Sequence, residues 1–281
     1  KRQSLWDSTR DGELSASDYI KIALNTLKGE TDISMITATF MQIDTAIWAY
    51  VAPQNRDAMR LAVANAAEAF LDKAKPGSDH QLQYARAFTN NAVTPTQFDR
   101  LKAMLDGAID GLTIDADLRW YIFLCGVKRG IYGPTEIAAE ADRDKTAHGK
   151  QYVAFAHAAI PSVAAKAAAF KSVTTDDLSN SIHSYKCRGF NESIHGDLLE
   201  GFVDEYFDAI LKVWATKGFE IAETTATLTF PTWAISDETV KKAQHWLDVT
   251  GKDASHALRR TVAEGRDAMT RALKARAVDA R

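Results

Sequence analysis

A run of eight uncharged residues, Trp120 to Val127, constrains the fold of this chain more than any other feature of the sequence. Arg119 and Lys128 close the run at its two ends. A helix that crosses a membrane needs about 20 mainly apolar residues, so the run is too short to be an anchor. Its bulky side chains would cover every side of a helix and leave no face for water. The sequence therefore predicts that residues 118–127 form a helix buried among other helices.

Helix-start signals recur along the rest of the 281 residues. A serine or threonine followed three residues later by glutamine is the pattern of a capping box. Ser78 with Gln81 and Thr94 with Gln97 match this pattern, and Ser236 opens another helix near the end of the chain. The apolar residues between these signals keep the helical period, and we count about fourteen helices.

Residues 225–235 are the one stretch that we predict to be extended, and Pro231 interrupts them. A single strand cannot make a sheet, so the chain is predicted to be all-α with no significant sheet. Short helices in succession, joined by tight turns, favour a stack of antiparallel helix pairs. No strict repeat is visible, so the stack would be a degenerate, HEAT-like α-superhelix.

Composition and charge argue against two classes of partner. The net charge of −3 gives no reason to expect nucleic acid or a membrane surface. The last helix is rich in arginine but carries acids as well, and its apolar residues Leu258, Val262, Met269 and Leu273 form a stripe that would dock on the core. We read no leader segment at the start of the sequence and expect a cytoplasmic protein.

Two cysteines, Cys125 and Cys187, stand far apart in apolar, helix-like surroundings. We predict that both are free, buried thiols, as expected in a reducing compartment.

Two residue pairs resemble parts of metal sites. His183 and Cys187 are four residues apart and would share a helix face, while Glu192 and His195 match the E-x-x-H pattern of di-iron bundles. Each is one half of a site with no second half in the sequence, and H-E-x-x-H is absent. We therefore interpret His183 as a solvated histidine beside a buried thiol, and the E-x-x-H match as chance.

Glu136, Glu140 and Asp144 line up along one helix face, with Arg143 and Lys145 close by. Paired carboxylates act as acid and base only when desolvation separates their pKa values. The neighbouring cations favour a solvated, salt-bridged face instead. From the residues alone, the sequence shows no catalytic group.

Several segments together resemble a known family. They are LWDSTRDGELSASDYI, ETDIS, PGSDHQLQYARAF, DADLRW, EIAAEADRDKTAHGK, DLSNSIHSYKCRGF, LLEGFVDEYFDAILKVW and ALRRTVAEGRDAMTRALKARAVDA. In this order they are similar to the C-terminal helical domain of zinc aminopeptidases of the aminopeptidase N family, of the actinobacterial type. The resemblance runs nearly end to end. It implies that residues 1–281 are the single C-terminal domain of a longer polypeptide.

The resemblance implies that the parent protein is a zinc-dependent hydrolase that removes N-terminal residues from peptides. The family's H-E-x-x-H and G-x-M-E-N motifs are both missing here, so no catalytic or metal residue is carried over. We expect no cofactor in this chain, zinc in the parent protein, and no activity of the chain alone. The domain would cover the catalytic cleft and limit peptide access. Its partners would be the catalytic domain of the same polypeptide and peptide substrates.

Tyr185, Lys186 and Arg188 are the candidate peptide-binding residues. They cluster before Gly189, where cations would meet the carboxylate of a peptide. The alternative is an ordinary helix C-terminus with its usual cations and glycine. The family pattern has an aromatic residue where Asn191 stands, so local detail transfers less well here.

Two other interpretations stay open. The chain would be a stand-alone α-helical scaffold that binds a protein partner through a concave face, or a helical metalloenzyme built around Glu192 and His195. A catalytic partner encoded in the same reading frame would favour the accessory domain over the stand-alone scaffold. Bound iron or zinc would support the metalloenzyme.

Overall fold

The computed structural model describes residues 2–281, and side chains from residue 4 onward. These residues form sixteen α-helices: α1 Arg2–Arg10, α2 Ala16–Leu27, α3 Ile33–Thr45, α4 Arg56–Lys73, α5 Asp79–Asn91, α6 Pro95–Leu105, α7 Ala116–Lys128, α8 Pro134–Arg143, α9 Ala147–Ala159, α10 Val163–Thr175, α11 Asn180–Phe190, α12 Gly196–Leu199, α13 Phe202–Thr216, α14 Phe219–Leu228, α15 Asp237–His245 and α16 His256–Asp279. The part of the chain that the structure describes contains no strand, which confirms the all-α prediction. The HEAT-like arrangement stays a prediction.

The apolar run at the centre of the sequence is a buried helix, as predicted. Leu118 and Val127 of α7 are fully buried, and Trp120 is 1% exposed. The helix begins with a side-chain cap, because Asp115 Oδ1 accepts a hydrogen bond of 2.8 Å from the Leu118 amide.

One of the two predicted capping boxes forms in full, and the other forms in half. Thr94 and Gln97 make both reciprocal bonds: the Gln97 amide donates to Thr94 Oγ1, and Gln97 Oε1 accepts from the Thr94 amide. Ser78 Oγ accepts from the Gln81 amide, but the Gln81 side chain accepts from Gly77 instead of from Ser78. The helix start is therefore correct, and only the partner of the glutamine differs.

The chain divides into two compact units. The first comprises the residues up to Cys125 together with Arg271–Arg281, and the second comprises Gly126–Thr270. The expectation of a single domain over residues 1–281 stays a prediction.

In the first unit, the Asp279 carboxylate ties the end of α16 to the start of α2. It accepts hydrogen bonds from Ser15 Oγ at 2.7 Å, the Ser17 amide at 2.6 Å and the Ala52 amide at 2.8 Å. Burial by itself would raise the pKa of Asp279, but these donors outweigh it and hold the pKa below its ordinary value.

The core of the second unit confirms most of the predicted stripe on the last helix. Leu258 and Val262 are fully buried and Met269 is 2% exposed, whereas Leu273, in the first unit, is only partly buried. Gly265 lets the Phe230 ring lie directly against α16, since a Cβ atom there would overlap the ring.

The prediction that residues 225–235 are extended is wrong. Thr225–Leu228 form the last turn of α14, and the chain then turns through Pro231. The hydroxyl of Thr225 donates to the Ile221 carbonyl, and that of Thr229 to the Thr225 carbonyl. These local bonds let β-branched residues continue a helix where their propensity favours a strand.

Two helices end in a π-helical turn. One such turn, Ala46–Tyr50, follows α3, and the other, Trp246–Thr250, follows α15. At each turn an arginine side chain donates to backbone carbonyls in or next to the turn. Arg276 donates to the Trp48 and Ala49 carbonyls. At the second turn Arg259 donates to the carbonyls of Leu247 and Gly251.

Candidate functional site

Helices α9 and α11 of the second unit pack with their backbones in contact. Gly189 on α11 lies against α9, and a Cβ atom at this position would overlap the Phe155 carbonyl oxygen. The Ala158 methyl group fills the adjoining space. Because the helices approach so closely, side chains one turn earlier on α11 lie beside those of α9.

Tyr185 of α11 is held by two aromatic side chains of α9. Its hydroxyl forms a hydrogen bond of 3.0 Å with His148 Nε2. The Tyr152 ring packs edge-on against the Tyr185 ring at 5.6 Å between centroids, and it stacks on His148 at 4.5 Å. The tyrosine therefore has a fixed orientation before any ligand binds.

Arg188 lies next to this aromatic cluster. Its guanidinium carbon is 5.9 Å from the centre of the Tyr185 ring, and the side chain is exposed. Among the residues that the structure describes, no carboxylate forms an ion pair with Arg188. Its N–H donors therefore face solvent. A guanidinium can donate two parallel hydrogen bonds to one carboxylate. We call His148, Tyr152, Tyr185 and Arg188 the α9–α11 face.

Lys186, the third predicted site residue, points to a different neighbour. Its ammonium donates to Ser172 Oγ of α10 at 2.7 Å, and the Ser172 hydroxyl donates to Asp176 Oδ2 at 2.6 Å. The hydrogen bond from Ser172 lowers the pKa of Asp176. Burial, with the nearby charge of Lys186, lowers the pKa of His157. The structure thus brings Tyr185 and Arg188 together and places Lys186 on the α10 side.

Sequence reasoning missed Lys166, which is fully buried between the ends of these helices. Its ammonium donates to the carbonyls of Ala158 at 2.9 Å, Gly189 at 2.9 Å and Phe190 at 3.1 Å. Burial lowers its pKa to about 8. In sequence it is one lysine among alanines, a pattern typical of a solvent-exposed position, so no local signal marks it.

The E-x-x-H residues make contacts with the end of α7. Glu192 Oε1 lies 3.1 Å from the ammonium of Lys128, and His195 Nε2 lies 2.6 Å from the Lys128 carbonyl oxygen. Burial lowers the pKa of His195. Both side chains therefore serve local structure.

Two of the predicted solvated residues are buried, and those predictions are wrong. His183 is fully buried and bonds Thr225 Oγ1 at 2.8 Å, because α14 covers this side of α11. Glu140 is 5% exposed, although Arg143 lies 3.8 Å from it as the salt-bridge prediction required. The burial of Cys187 was predicted correctly, and it raises the pKa of the thiol to about 12.

The described side chains do not fit a metal. No group of three histidine, cysteine, aspartate or glutamate residues lies close enough together among them to hold an ion.

The fold and the α9–α11 face define an all-helical domain with an exposed, aromatic-backed cation. Comparison with known sequences then gives the family. The profile of the ERAP1-like C-terminal domain matches residues 3–271. The chain is 40% identical over 280 residues to Aminopeptidase N of Streptomyces lividans, covering 99% of this chain and 32% of that protein. The chain belongs to the ERAP1-like C-terminal domain family and corresponds to the C-terminal domain of an aminopeptidase N-like protein.

The chain thus spans about a third of the length of the curated relative that it matches. No helix in the described part of the chain is long and apolar enough to cross a bilayer.

Proposed function

We propose that this chain is the accessory domain of a zinc aminopeptidase that removes N-terminal residues from peptides. It covers the catalytic cleft, which lies elsewhere in the same polypeptide, and limits the peptides that enter. Covering the cleft also excludes water, which strengthens electrostatic interactions at the reacting bond. The identity to Aminopeptidase N over nearly the whole chain supports this proposal. Two buried, free thiols are consistent with a cytoplasmic enzyme.

Within this role, the α9–α11 face binds the carboxyl end of a peptide. The observation that carries this proposal is the exposed guanidinium of Arg188, which lies over Tyr185 and has no ion pair among the described residues. A guanidinium offers paired donors to a carboxylate, and the aromatic ring behind it restricts its motion. Lys186, which donates to Ser172 on the α10 side, lies outside this face.

The test uses the full-length aminopeptidase that contains this chain. The kcat/KM of a peptide with a free C-terminal carboxylate is compared with that of the same peptide ending in an amide. Arg188→Ala should lower the acid-to-amide ratio about tenfold, since a hydrogen bond to a charged group contributes about 1.5 kcal/mol. Arg260→Ala is the matched control, because Arg260 is an exposed arginine of α16, far along the chain from this face. A wild-type ratio in Arg188→Ala would contradict the proposal.

A further inference from the structure

We propose that Lys166 is a positioning residue for the α9–α11 face. Its side chain joins the C-terminal ends of the two helices that carry the face, and so sets where Arg188 and Tyr185 stand relative to His148 and Tyr152. This inference rests on the proposed function of the face. It assigns to a buried lysine a role in recognition of the peptide carboxylate.

The first argument is the completeness of the contacts. An ammonium has three N–H donors, and Lys166 gives one to each of three carbonyl oxygens, those of Ala158, Gly189 and Phe190. The last carbonyls of a helix have no partner within the helix and lie at the negative end of its dipole. One cation thus satisfies the ends of both α9 and α11.

The second argument is the distance along the chain from these contacts to the face. Arg188 directly precedes Gly189, whose carbonyl binds Lys166, and Tyr185 is one turn earlier. Gly189 also lies against the backbone of α9 at Phe155, so the end of α11 cannot move toward α9. The Lys166 side chain keeps it from moving away. The backbone of α11 next to Arg188 is therefore held in position relative to α9 from both directions.

The third argument is that the lysine makes directed bonds, which an apolar side chain cannot make. Lys166 is fully buried, and removing an ammonium from water is costly even with good partners. An apolar side chain of similar length would avoid that cost, but it would leave the carbonyls of Ala158, Gly189 and Phe190 without this donor. What it lacks is a directed bond to each helix end. The lysine is thus suited to fixing geometry.

The experiment uses the full-length aminopeptidase and the acid-to-amide ratio of kcat/KM, together with the kcat/KM of an aminoacyl p-nitroanilide, which is too short to extend beyond the cleft. Lys166→Met keeps the chain length and removes the charge and donors. It should lower the acid-to-amide ratio about fivefold or more, because small displacements of a binding group are costly. The anilide should be cleaved within about twofold of wild type. Lys171→Met, an exposed lysine of the same helix, is the control and should match wild type.

A wild-type acid-to-amide ratio in Lys166→Met would overturn the inference. Arg188→Ala in parallel separates it from the proposed function. If the acid-to-amide ratio of Arg188→Ala equals that of wild type, the face does not bind the carboxylate and the proposed function fails. If Arg188→Ala lowers the acid-to-amide ratio while Lys166→Met leaves it at the wild-type value, only the positioning role fails.

A second measurement on the wild-type enzyme covers the case in which Lys166→Met does not fold. Hydrogen–deuterium exchange is followed in residues 156–162 and 186–192 with a bound peptide acid and with its amide. Because Lys166 links the two helix ends, the acid should slow exchange in both segments, and the amide should slow neither. Slowing by the acid in residues 186–192 alone would contradict the link.

Discussion

At the scale of single residues, the hydrogen bonds of His183 define its protonation state. The Thr225 hydroxyl already donates to the Ile221 carbonyl, so it must accept from His183 Nε2–H. The other ring nitrogen, Nδ1, is then unprotonated, and it is buried with no partner. Protonation would place a charge and an unsatisfied N–H in the core. Burial accordingly lowers the pKa of His183 to about 4.

This arrangement predicts a loss of stability in mild acid. The ordinary histidine pKa in the unfolded chain is about 6.5. Below that pH His183 is protonated in the unfolded state but stays neutral in the folded state, which favours unfolding. Its contribution is complete above pH 6.5 and is lost between about pH 6.5 and 4, by about 3 kcal/mol. His183→Gln keeps a donor for Thr225 and removes the titration. Urea unfolding at several pH values should give a flatter dependence for this variant, and an unchanged slope would contradict the assignment.

At the scale of elements, the contact between α9 and α11 depends on the absence of a side chain at Gly189. The Phe155 carbonyl belongs to a helix backbone and cannot rotate away from an added methyl group. We expect Gly189→Ala to lower the free energy of unfolding by about 2–3 kcal/mol. Gly201→Ala is the control, because a Cβ atom there meets nothing within 4 Å. Thermal unfolding compares the two, and equal stability of both variants would show that the helices are less closely packed.

Helix positions were predictable where the partners are local. The bonds at Thr94 and Ser236 connect residues three apart, so the sequence itself contains both partners. The contacts of Lys166 with Gly189, and of Arg276 with the π turn at Trp48, join residues 23 and 228 positions apart. Periodicity cannot identify such partners. The prediction that His183 is solvated was wrong for the same reason. The helix that covers it, α14, comes much later in the chain.

The candidate site was predictable only in part. The cluster of cations before a glycine was visible in the sequence, but the division between Lys186 and Arg188 was not. Residues three apart share a helix face whereas neighbours do not, which explains why Arg188 lies with Tyr185 and Lys186 turns to α10. The aromatic side chains that hold Tyr185 come from α9, whose contact with α11 no local pattern indicates.

At the scale of the whole molecule, the proposed role makes this chain one part of a larger enzyme. The chain covers 32% of the length of its relative Aminopeptidase N, and the proposal assigns the hydrolytic chemistry to the rest of the polypeptide. This domain would contribute peptide selection through the α9–α11 face. The metalloenzyme alternative built on Glu192 finds no support in its contacts, since its carboxylate binds Lys128.

The most direct test of this account assays the 281-residue chain by itself beside the full-length enzyme. Both are measured for hydrolysis of aminoacyl p-nitroanilides and for zinc by mass spectrometry, after circular dichroism confirms that the chain is helical. We expect that the full-length enzyme is active and contains zinc, whereas the chain alone has no turnover and retains no stoichiometric zinc. Turnover by the chain alone that a chelator abolishes would contradict it.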